Sequence, residues 1–510
     1  FSPSRLTLRL SPWLQVMSSE SESQPEGLGG TTRLQKQFLS DSNLADYNPN
    51  PQQFLPPNDA DHGTQGDKLV IAMVGLPARG KTYIANKLQR YLSFFHGAPT
   101  QVFSVANVRR KKYGADKPNE WFSADNQEGE AQRHVARLEA LNDMKEFLRA
   151  GMERGRVGIF DATNATRERR QWMVDELRPI LQSKSHIIFV ESVCDDEDII
   201  EHNIKETKLH MPDYEGKDQD EAVLDFKQRI AIYAQNYEPL GEADKQFSWI
   251  KTVNGGQQVV LNKIFGYLPG RIASFVMNLH TAPKTIYLTR HGQSEYNLTQ
   301  KIGGDSSLTG HGQEYAHALA NYVHANILSS KPRARLWTST LKRTIETGAH
   351  IRHEEVEVDG GKWITMRPRQ WHALDEIHAG IFDGKTYSEI EDIDPEEFKM
   401  RKQDKLGYRY PRGESYLDVM ARLDTIIHEL ERQRDPVLII AHQGILRIIY
   451  GYLMWNEIEA RESCPHVSIP LNTLKCLRPH AYGCDCKSLT LITQNTGDDG
   501  QTEVLDPPSH

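Results

Sequence analysis

The stretch Lys68-Leu69-Val70-Ile71-Ala72-Met73-Val74-Gly75-Leu76-Pro77-Ala78-Arg79-Gly80-Lys81-Thr82 decides the fold. Its first half is a short unbroken apolar run, the pattern of a strand buried on both faces of a parallel sheet. Its second half, Gly75 to Thr82, fits G-x-x-x-x-G-K-[ST] without a mismatch, and Ile84, Leu88, Tyr91, Leu92 and Phe95 then recur at helical spacing. A strand, a glycine-rich turn and a helix in that order are the setting the motif requires. Glycines let backbone amides turn toward phosphates, and the helix N-terminus adds partial positive charge. In such a loop the lysine reaches the β- and γ-phosphates of ATP and the threonine hydroxyl serves Mg²⁺. Gly75, Ala78, Arg79, Gly80, Lys81, Thr82 and Tyr83 are therefore the expected nucleotide residues.

Working outward, short apolar runs alternate with amphipathic stretches, which predicts α/β architecture. Val157–Phe160, Ile187–Val190, Thr285–Leu288, Arg335–Trp337 and Val437–Ala441 are further predicted strands. The first of these ends in Asp161, where a strand-end carboxylate joins the threonine at the metal. Arg109-Arg110-Lys111-Lys112 and Arg167-Glu168-Arg169-Arg170 flank the nucleotide strands. Spacing leaves both a solvated face and an anion site open for these runs.

A second set of chemistry-bearing residues follows a stretch broken by Gly266, Pro269, Gly270 and Pro283. Arg290-His291-Gly292 comes directly after one predicted strand, His442-Gln443-Gly444 after another, and Arg343 stands in the first turn of a predicted helix. Groups at the carboxyl ends of strands converge in open α/β sheets. A histidine nucleophile must present a neutral ring nitrogen, and adjacent Arg290 and Arg343 disfavour the imidazolium. The same cations, with His442, suit a transferring phosphoryl group.

The boundary between the two sets is placed near 282, giving domains 67–282 and 283–485. Residues 1–66 are rich in Ser, Gln, Pro, Asn and Gly without sustained apolar period, so disorder is predicted there. Within them, 1–16 are read as an upstream extension with Met17 as the start. Residues 486–510 are read as a mobile tail. The length of 510 residues exceeds one compact core. A formal net charge of -8 argues against a general nucleic-acid binder and for small molecules held in local basic pockets. Five cysteines, odd in number and without zinc-site spacing, suit a reducing, cytoplasmic setting. No apolar run reaches the roughly 18 residues of a membrane span. Cys194 is read as a small buried residue at a strand end.

Gly75–Thr82, Phe160-Asp161-Ala162-Thr163-Asn164 with Thr166-Arg167-Glu168-Arg169-Arg170, and Asn236-Tyr237-Glu238-Pro239-Leu240 resemble the 6-phosphofructo-2-kinase domain. The resemblance implies transfer of the ATP γ-phosphoryl to the 2-hydroxyl of fructose 6-phosphate. It implies Arg109, Arg110, Arg133, Thr163, Arg169, Arg229 and Tyr233 for the sugar phosphate, and Asn203 and Lys208 for the nucleotide, with Lys208 also reaching the sugar. The second set resembles the histidine phosphatase (phosphoglycerate mutase-like) superfamily, and more closely its fructose-2,6-bisphosphatase branch. Trp371-His372-Ala373-Leu374-Asp375-Glu376-Ile377 marks Glu376 as proton donor to the leaving C2 oxygen. Gln403-Asp404-Lys405 and Tyr408-Arg409-Tyr410-Pro411-Arg412-Gly413-Glu414-Ser415-Tyr416 carry the likeness to that branch. They imply Asn297, Gly303, Tyr387, Arg401, Lys405, Tyr416, Gln443 and Arg447 around the sugar bisphosphate. A phosphohistidine on His291 without a cofactor, and a homodimer, are implied in the same way. Gln293, His378 and Leu406-Gly407 depart from the branch's pattern and are expected to bear on the phosphatase rate.

Two rival readings are weighed against this one. A P-loop kinase fused to a phosphoglycerate mutase-like phosphatase acting on another phosphoester is opposed by the arginine set and Gln403-Asp404-Lys405. A nucleotide-binding scaffold without turnover is opposed by Lys81, Thr82, Asp161, His291, Glu376 and His442, all present.

Overall fold

The computed structural model describes residues 68–150, 155–181, 186–205, 212–214, 218–280, 283–358, 360–455, 460–480 and 482–492. The expectations for residues 1–66 and for Lys208 lie outside the described residues. Those described all belong to one compact unit, Leu55–His510.

The first sheet is built from β1 (Lys68–Val74), β2 (Thr100–Ser104), β3 (Arg156–Asp161), β4 (Ile187–Val193), β5 (Ser248–Val253) and β6 (Gln258–Asn262). Its order is β2-β3-β1-β4-β5-β6, parallel except for β6. The helices used below are α1 (Lys81–His96), α2 (Gln127–Arg149), α3 (Arg167–Leu177), α4 (Gln219–Ala234) and α5 (Tyr267–Met277). The apolar run is central: β1 pairs with β3 on one side and β4 on the other, and Leu69–Val74 are buried. The turn into α1 needs its first glycine. Gly75 has φ 135°, and a Cβ there would lie 2.6 Å from the Ser192 carbonyl oxygen.

The second sheet takes β7 (Ile286–Arg290), β8 (Arg335–Thr338), β11 (Pro368–Gln370), β12 (Val437–Ala441), β13 (Thr473–Pro479) and β14 (Cys484–Thr490), in the order β11-β8-β12-β7-β13-β14. β9 (Glu355–Val358) and β10 (Gly361–Ile364) form a separate hairpin. α6 (Lys342–Gly348), α7 (Tyr416–Arg432) and α8 (Gln443–Leu453) complete the framework. β14 corrects the start of the tail at 486, because it pairs with β13 from Thr473↔Thr490 to Pro479↔Cys484. As an edge strand with several exposed side chains it lacks the apolar run that announces a buried one.

Hydrophobic packing does not stop between the sheets. Met73 of β1, Leu88, Tyr91 and Phe94 of α1, Phe275 of α5, Leu423 and Ile427 of α7, and Ile449 and Tyr452 of α8 share one core. Tyr91 stacks on Phe275 at 4.0 Å. Inside this core Lys87 Nζ donates to both Glu431 carboxylate oxygens at 2.8 and 2.9 Å, and Tyr452 donates its hydroxyl to the same carboxylate at 2.9 Å. Lys284 Nζ lies 3.5 Å from it. Burial pushes the Lys87 ammonium down to about 7 while Glu431 pulls the other way. Burial alone would raise the Glu431 carboxyl, but Lys87, Lys284 and Arg90 outweigh it and hold it below the usual carboxylate range.

Glu431→Gln leaves two buried ammonium groups without their counter-ion. Losing one partner of such a pair costs about 3–5 kcal/mol. The expected result is a clearly lower denaturation midpoint, partly restored by adding Lys87→Met. An unchanged midpoint for the single variant contradicts this account.

Candidate active sites

β1 and β3 are neighbours, so the loop after one meets the carboxylate ending the other. Thr82 Oγ1 donates to Asp161 Oδ2 at 2.9 Å, and Lys81 Nζ is capped by the Leu76 carbonyl at 2.6 Å. Two hard oxygen donors side by side at the foot of a phosphate loop fit Mg²⁺. Asn203 Nδ2 donates to the Ala78 carbonyl at 3.1 Å, steadying the loop from β4's side. A cavity of about 700 Å³ opens over these groups. Ala78, Gly80, Lys81, Thr82, Tyr83, Asp161, Thr163, Asn203 and Tyr233 line it, with Arg109, Arg110, Arg133, Arg169 and Arg229. Gly75 and Arg79 are not among its lining residues: the Gly75 amide bonds to the Thr163 carbonyl, and Arg79 folds back on the Pro77 carbonyl at 3.2 Å. The Tyr83 hydroxyl is turned to the His280 carbonyl at 3.2 Å.

The arginines form two groups, each around one carboxylate. Arg109 Nη2 meets Asp213 at 2.6 Å, Arg110 Nε donates to its other oxygen, and Arg229 lies 3.7 Å away. Arg133, Arg137 and Arg169 converge on Glu130 at 2.8, 2.6 and 3.1 Å. Burial alone would raise the Glu130 carboxyl; hydrogen bonds and charge from these arginines bring it to about 2. Glu130 and Arg137 escaped the sequence reading although Glu130, Arg133 and Arg137 stand at helical spacing. Pro479 at the end of β13, and His480 and Tyr482 between it and β14, also line the cavity, and no local signal in the sequence links them to it. The run at 167–170 divides by helix geometry. Arg169 faces the cavity, whereas Arg170 is fully buried against Asp244 at 3.0 and 3.2 Å and serves the fold.

At the second sheet β7 and β12 are parallel neighbours, Ala441 opposite Arg290, so His291 and His442 emerge side by side. Their ring centroids are 5.2 Å apart. His291 Nδ1 lies 2.7 Å from the Gly292 carbonyl, which requires a proton on Nδ1 and leaves Nε2 as the free lone pair. Gly292 admits no side chain, since a Cβ would come within 2.5 Å of the Gly312 carbonyl oxygen. Burial, then Arg343 and Arg290, hold the His291 imidazole well below its ordinary value, so it stays neutral. His442 is fully buried and shifted the same way, by burial and then Arg343. Arg343 Nε donates to His442 Nδ1 at 3.2 Å, which leaves Nε2–H to bond Ser339 Oγ at 2.8 Å. Ser339 was missed, because a serine at a strand end carries no sequence signal of its own.

Glu376 reaches the start of α8, accepting from the Gly444 amide at 3.1 Å and from the Ile377 amide at 3.0 Å. Burial lowers the Arg290 guanidinium to about 10, against the attraction of Glu376. Arg401 donates to the Tyr387 and Tyr410 hydroxyls, both at 2.7 Å, and Arg447 to Tyr416 at 3.2 Å. Lys405 is lowered to about 8 by burial, then by Arg447 and Arg401, so the three cations lie close enough to feel one another's charge. Gln443 opens α8 beside His442. The Asn297 side chain accepts from the Ser294 amide at 2.9 Å, and Gly303 takes φ 70° on the connection between β7 and β8.

The three departures are accommodated locally. Gln293 turns its side chain to Thr309 Oγ1 at 3.0 Å. His378 is exposed and pairs with Asp383 at 3.6 Å. Leu406-Gly407 forms a turn closed by Asp404, which accepts from the Gly407 amide at 2.8 Å. Cys194 is buried just after β4, its thiol raised by burial.

A family model of 6-phosphofructo-2-kinase matches residues 58–283, and one of the histidine phosphatase superfamily (branch 1) matches residues 286–491. The chain is 43% identical over 425 residues to a 6-phosphofructo-2-kinase/fructose-2,6-bisphosphatase of Aquarana catesbeiana, covering 83% of this chain and 84% of that one. It is 43% identical over 427 residues to 6-phosphofructo-2-kinase/fructose-2,6-bisphosphatase 1 of Mus musculus, with the same coverage of each. The protein so named from Arabidopsis thaliana is 45% identical over 429 residues, covering 83% of this chain and 53% of that one.

Proposed function

Because the chain belongs to the 6-phosphofructo-2-kinase/fructose-2,6-bisphosphatase family, we propose that it makes and removes fructose 2,6-bisphosphate at two separate sites. At the first, ATP phosphorylates the 2-hydroxyl of fructose 6-phosphate. Lys81 leaves the Leu76 carbonyl for the β- and γ-phosphates, and Asn203 holds the loop around them. Mg²⁺ on Thr82 and Asp161 would neutralise charge on the transferring group. Arg109, Arg110, Arg133, Arg169 and Arg229, with Thr163 and Tyr233, take the sugar phosphate, whose charge replaces part of that supplied by Asp213 and Glu130.

At the second site His291 Nε2 attacks the C2 phosphorus, the bond from phosphorus to the C2 oxygen breaks, and Glu376 gives that oxygen its proton. Arg290 and Arg343 stabilise charge on the phosphoryl group in flight, and His442 joins them by turning its Nε2–H from Ser339 to the phosphoryl oxygens. Water then attacks the phosphohistidine, Glu376 takes its proton, and inorganic phosphate leaves with no cofactor required. Asn297, Gly303, Tyr387, Arg401, Lys405, Tyr416, Gln443 and Arg447 hold the sugar. The observation carrying this reading is the His291–His442 pair at the ends of adjacent strands, with Nδ1 of His291 committed to a carbonyl. The same reading takes the chain as a cytoplasmic homodimer acting on small molecules. Among the described residues no helix is long and apolar enough to cross a membrane.

Synthesis and breakdown of fructose 2,6-bisphosphate measured on one purified preparation test the proposal; absence of either activity overturns it. The pH profile adds a second check. A nucleophile held well below 6.5 stays neutral as pH falls through 6.5, so the rate of His291 phosphorylation should show no acid limb there. A fall of that rate as pH drops through 6.5, beyond what titration of the substrate phosphate accounts for, contradicts the assigned environment.

A further inference from the structure

The proton donor Glu376 sits on a segment without regular structure. It follows the short 3₁₀ turn His372–Leu374 and precedes another at Gly380–Phe382. A carboxyl group on such a segment needs its backbone fixed from elsewhere, since a misplacement of about 1 Å at a reacting centre can cost on the order of 10²-fold in rate. On the substrate side, among the described residues, the carboxylate is anchored by its own bonds to the Gly444 and Ile377 amides. On the opposite side lies a guanidinium that no step of the mechanism uses.

Arg422, on α7, spreads its donors over three carbonyls of this one segment. Nη1 donates to Ala373 at 2.5 Å, and Nη2 to Asp375 at 2.7 Å and Glu376 at 3.3 Å. Its remaining edge is held by Glu414, which accepts from Nε at 2.8 Å and from Nη2 at 3.1 Å. Glu414 grips the same segment directly, since its carboxylate accepts from the His378 amide at 3.0 Å and its own amide donates to the His378 carbonyl at 2.9 Å. Asp375 ties the segment sideways, accepting from the Thr340 amide at 2.7 Å and hydroxyl at 2.6 Å, just ahead of Arg343. Both members of the Arg422–Glu414 pair are about three-quarters or more buried, at 20% and 25% side-chain exposure, so water does not readily replace the lost donors.

We propose that Arg422, clamped by Glu414, is the positioning residue of the phosphatase proton donor, holding the 373–378 backbone so that the Glu376 carboxyl meets the leaving C2 oxygen. The inference rests on the reading of Glu376 as proton donor. Only a planar fork with five N–H groups reaches carbonyls of three residues and a bidentate carboxylate together; an ammonium has the charge and not the geometry.

The test is single-turnover phosphorylation of His291 by fructose 2,6-bisphosphate in the full chain, with kinase activity of the same preparation reporting that the protein is folded. Arg422→Met and Arg422→Lys should both slow phosphorylation by about 30- to 100-fold, while substrate affinity stays within about threefold. Glu414→Gln should act in the same direction with a smaller effect, which keeps the test alive where Arg422→Met does not fold. A group working only through Glu376 adds nothing once that carboxyl is gone, so Arg422→Met in a Glu376→Gln background should cause no further loss. Rescue by Arg422→Lys, a parallel loss of affinity, or full additivity with Glu376→Gln would each overturn the assignment. A Glu376→Gln variant with unimpaired phosphorylation would instead remove the reading of Glu376 itself.

Discussion

Rapid quenching during breakdown of fructose 2,6-bisphosphate labelled at the C2 phosphate is expected to trap an acid-labile, base-stable adduct on His291. His291→Ala should abolish the adduct and reduce phosphatase turnover by on the order of 10⁴-fold or more, as loss of a covalent nucleophile does. The structure supplies reasons for both the residue and the atom. The Gly292 carbonyl accepts the hydrogen bond from Nδ1, so Nε2 is the nitrogen left open for attack, and burial with two arginines disfavours its protonation. His442, whose Nδ1 accepts from Arg343 and whose Nε2 is directed at Ser339, is not presented in the same way. It should therefore carry no label in wild type and none in the His291→Ala chain. Glu376→Gln should slow formation of the adduct by about 10²–10⁴-fold, because the C2 alkoxide then departs without a proton. Label on another residue, or turnover retained by His291→Ala, would require direct attack by water.

The two histidines were legible because each sits at the end of a strand, and a buried strand announces itself as an apolar run. Val437–Ala441 is such a run with His442 directly after it, and the run Thr285–Leu288 leads through Thr289-Arg290 to His291. Glu376 and Lys405, on irregular segments, and Arg401, in the helix Pro395–Gln403, were read only through family likeness. Groups acting at a distance in sequence were not legible at all. Arg422 lies in a regular amphipathic helix, where one more charged residue on the polar face is unremarkable. Tyr482 lines the kinase cavity from a hairpin of the other sheet, nearly 400 residues beyond the phosphate loop. The charge run 167–170 shows a further limit. Whether an arginine meets a substrate or a buried aspartate depends on its helical azimuth relative to neighbours that only the fold supplies.

The two sheets lie on either side of residue 282, but one hydrophobic core runs across it. The helix that opens the phosphate loop is also the one whose Tyr91 and Lys87 enter the shared core beside α7. This makes the expected result for Lys81→Met informative. Lys81 sits at the first position of α1 with its ammonium on the Leu76 carbonyl, on the cavity side, whereas Lys87 lies further along the same helix and reaches Glu431. Removing the Lys81 charge should reduce synthesis of fructose 2,6-bisphosphate by on the order of 10²–10³-fold or more, the scale of losing one preorganised charge donor to a transferring group. Breakdown on the same preparation should stay within about threefold, as for sites without shared partners. Lys87→Met, six residues on along α1 and buried against Glu431 of α7, should instead disturb both activities together with the denaturation midpoint. Measuring the two activities side by side in both variants separates chemistry from support. Loss of both activities in a folded Lys81→Met chain would show that the phosphate loop and the histidine pocket work as one unit through α1, and the two-site description would have to be abandoned.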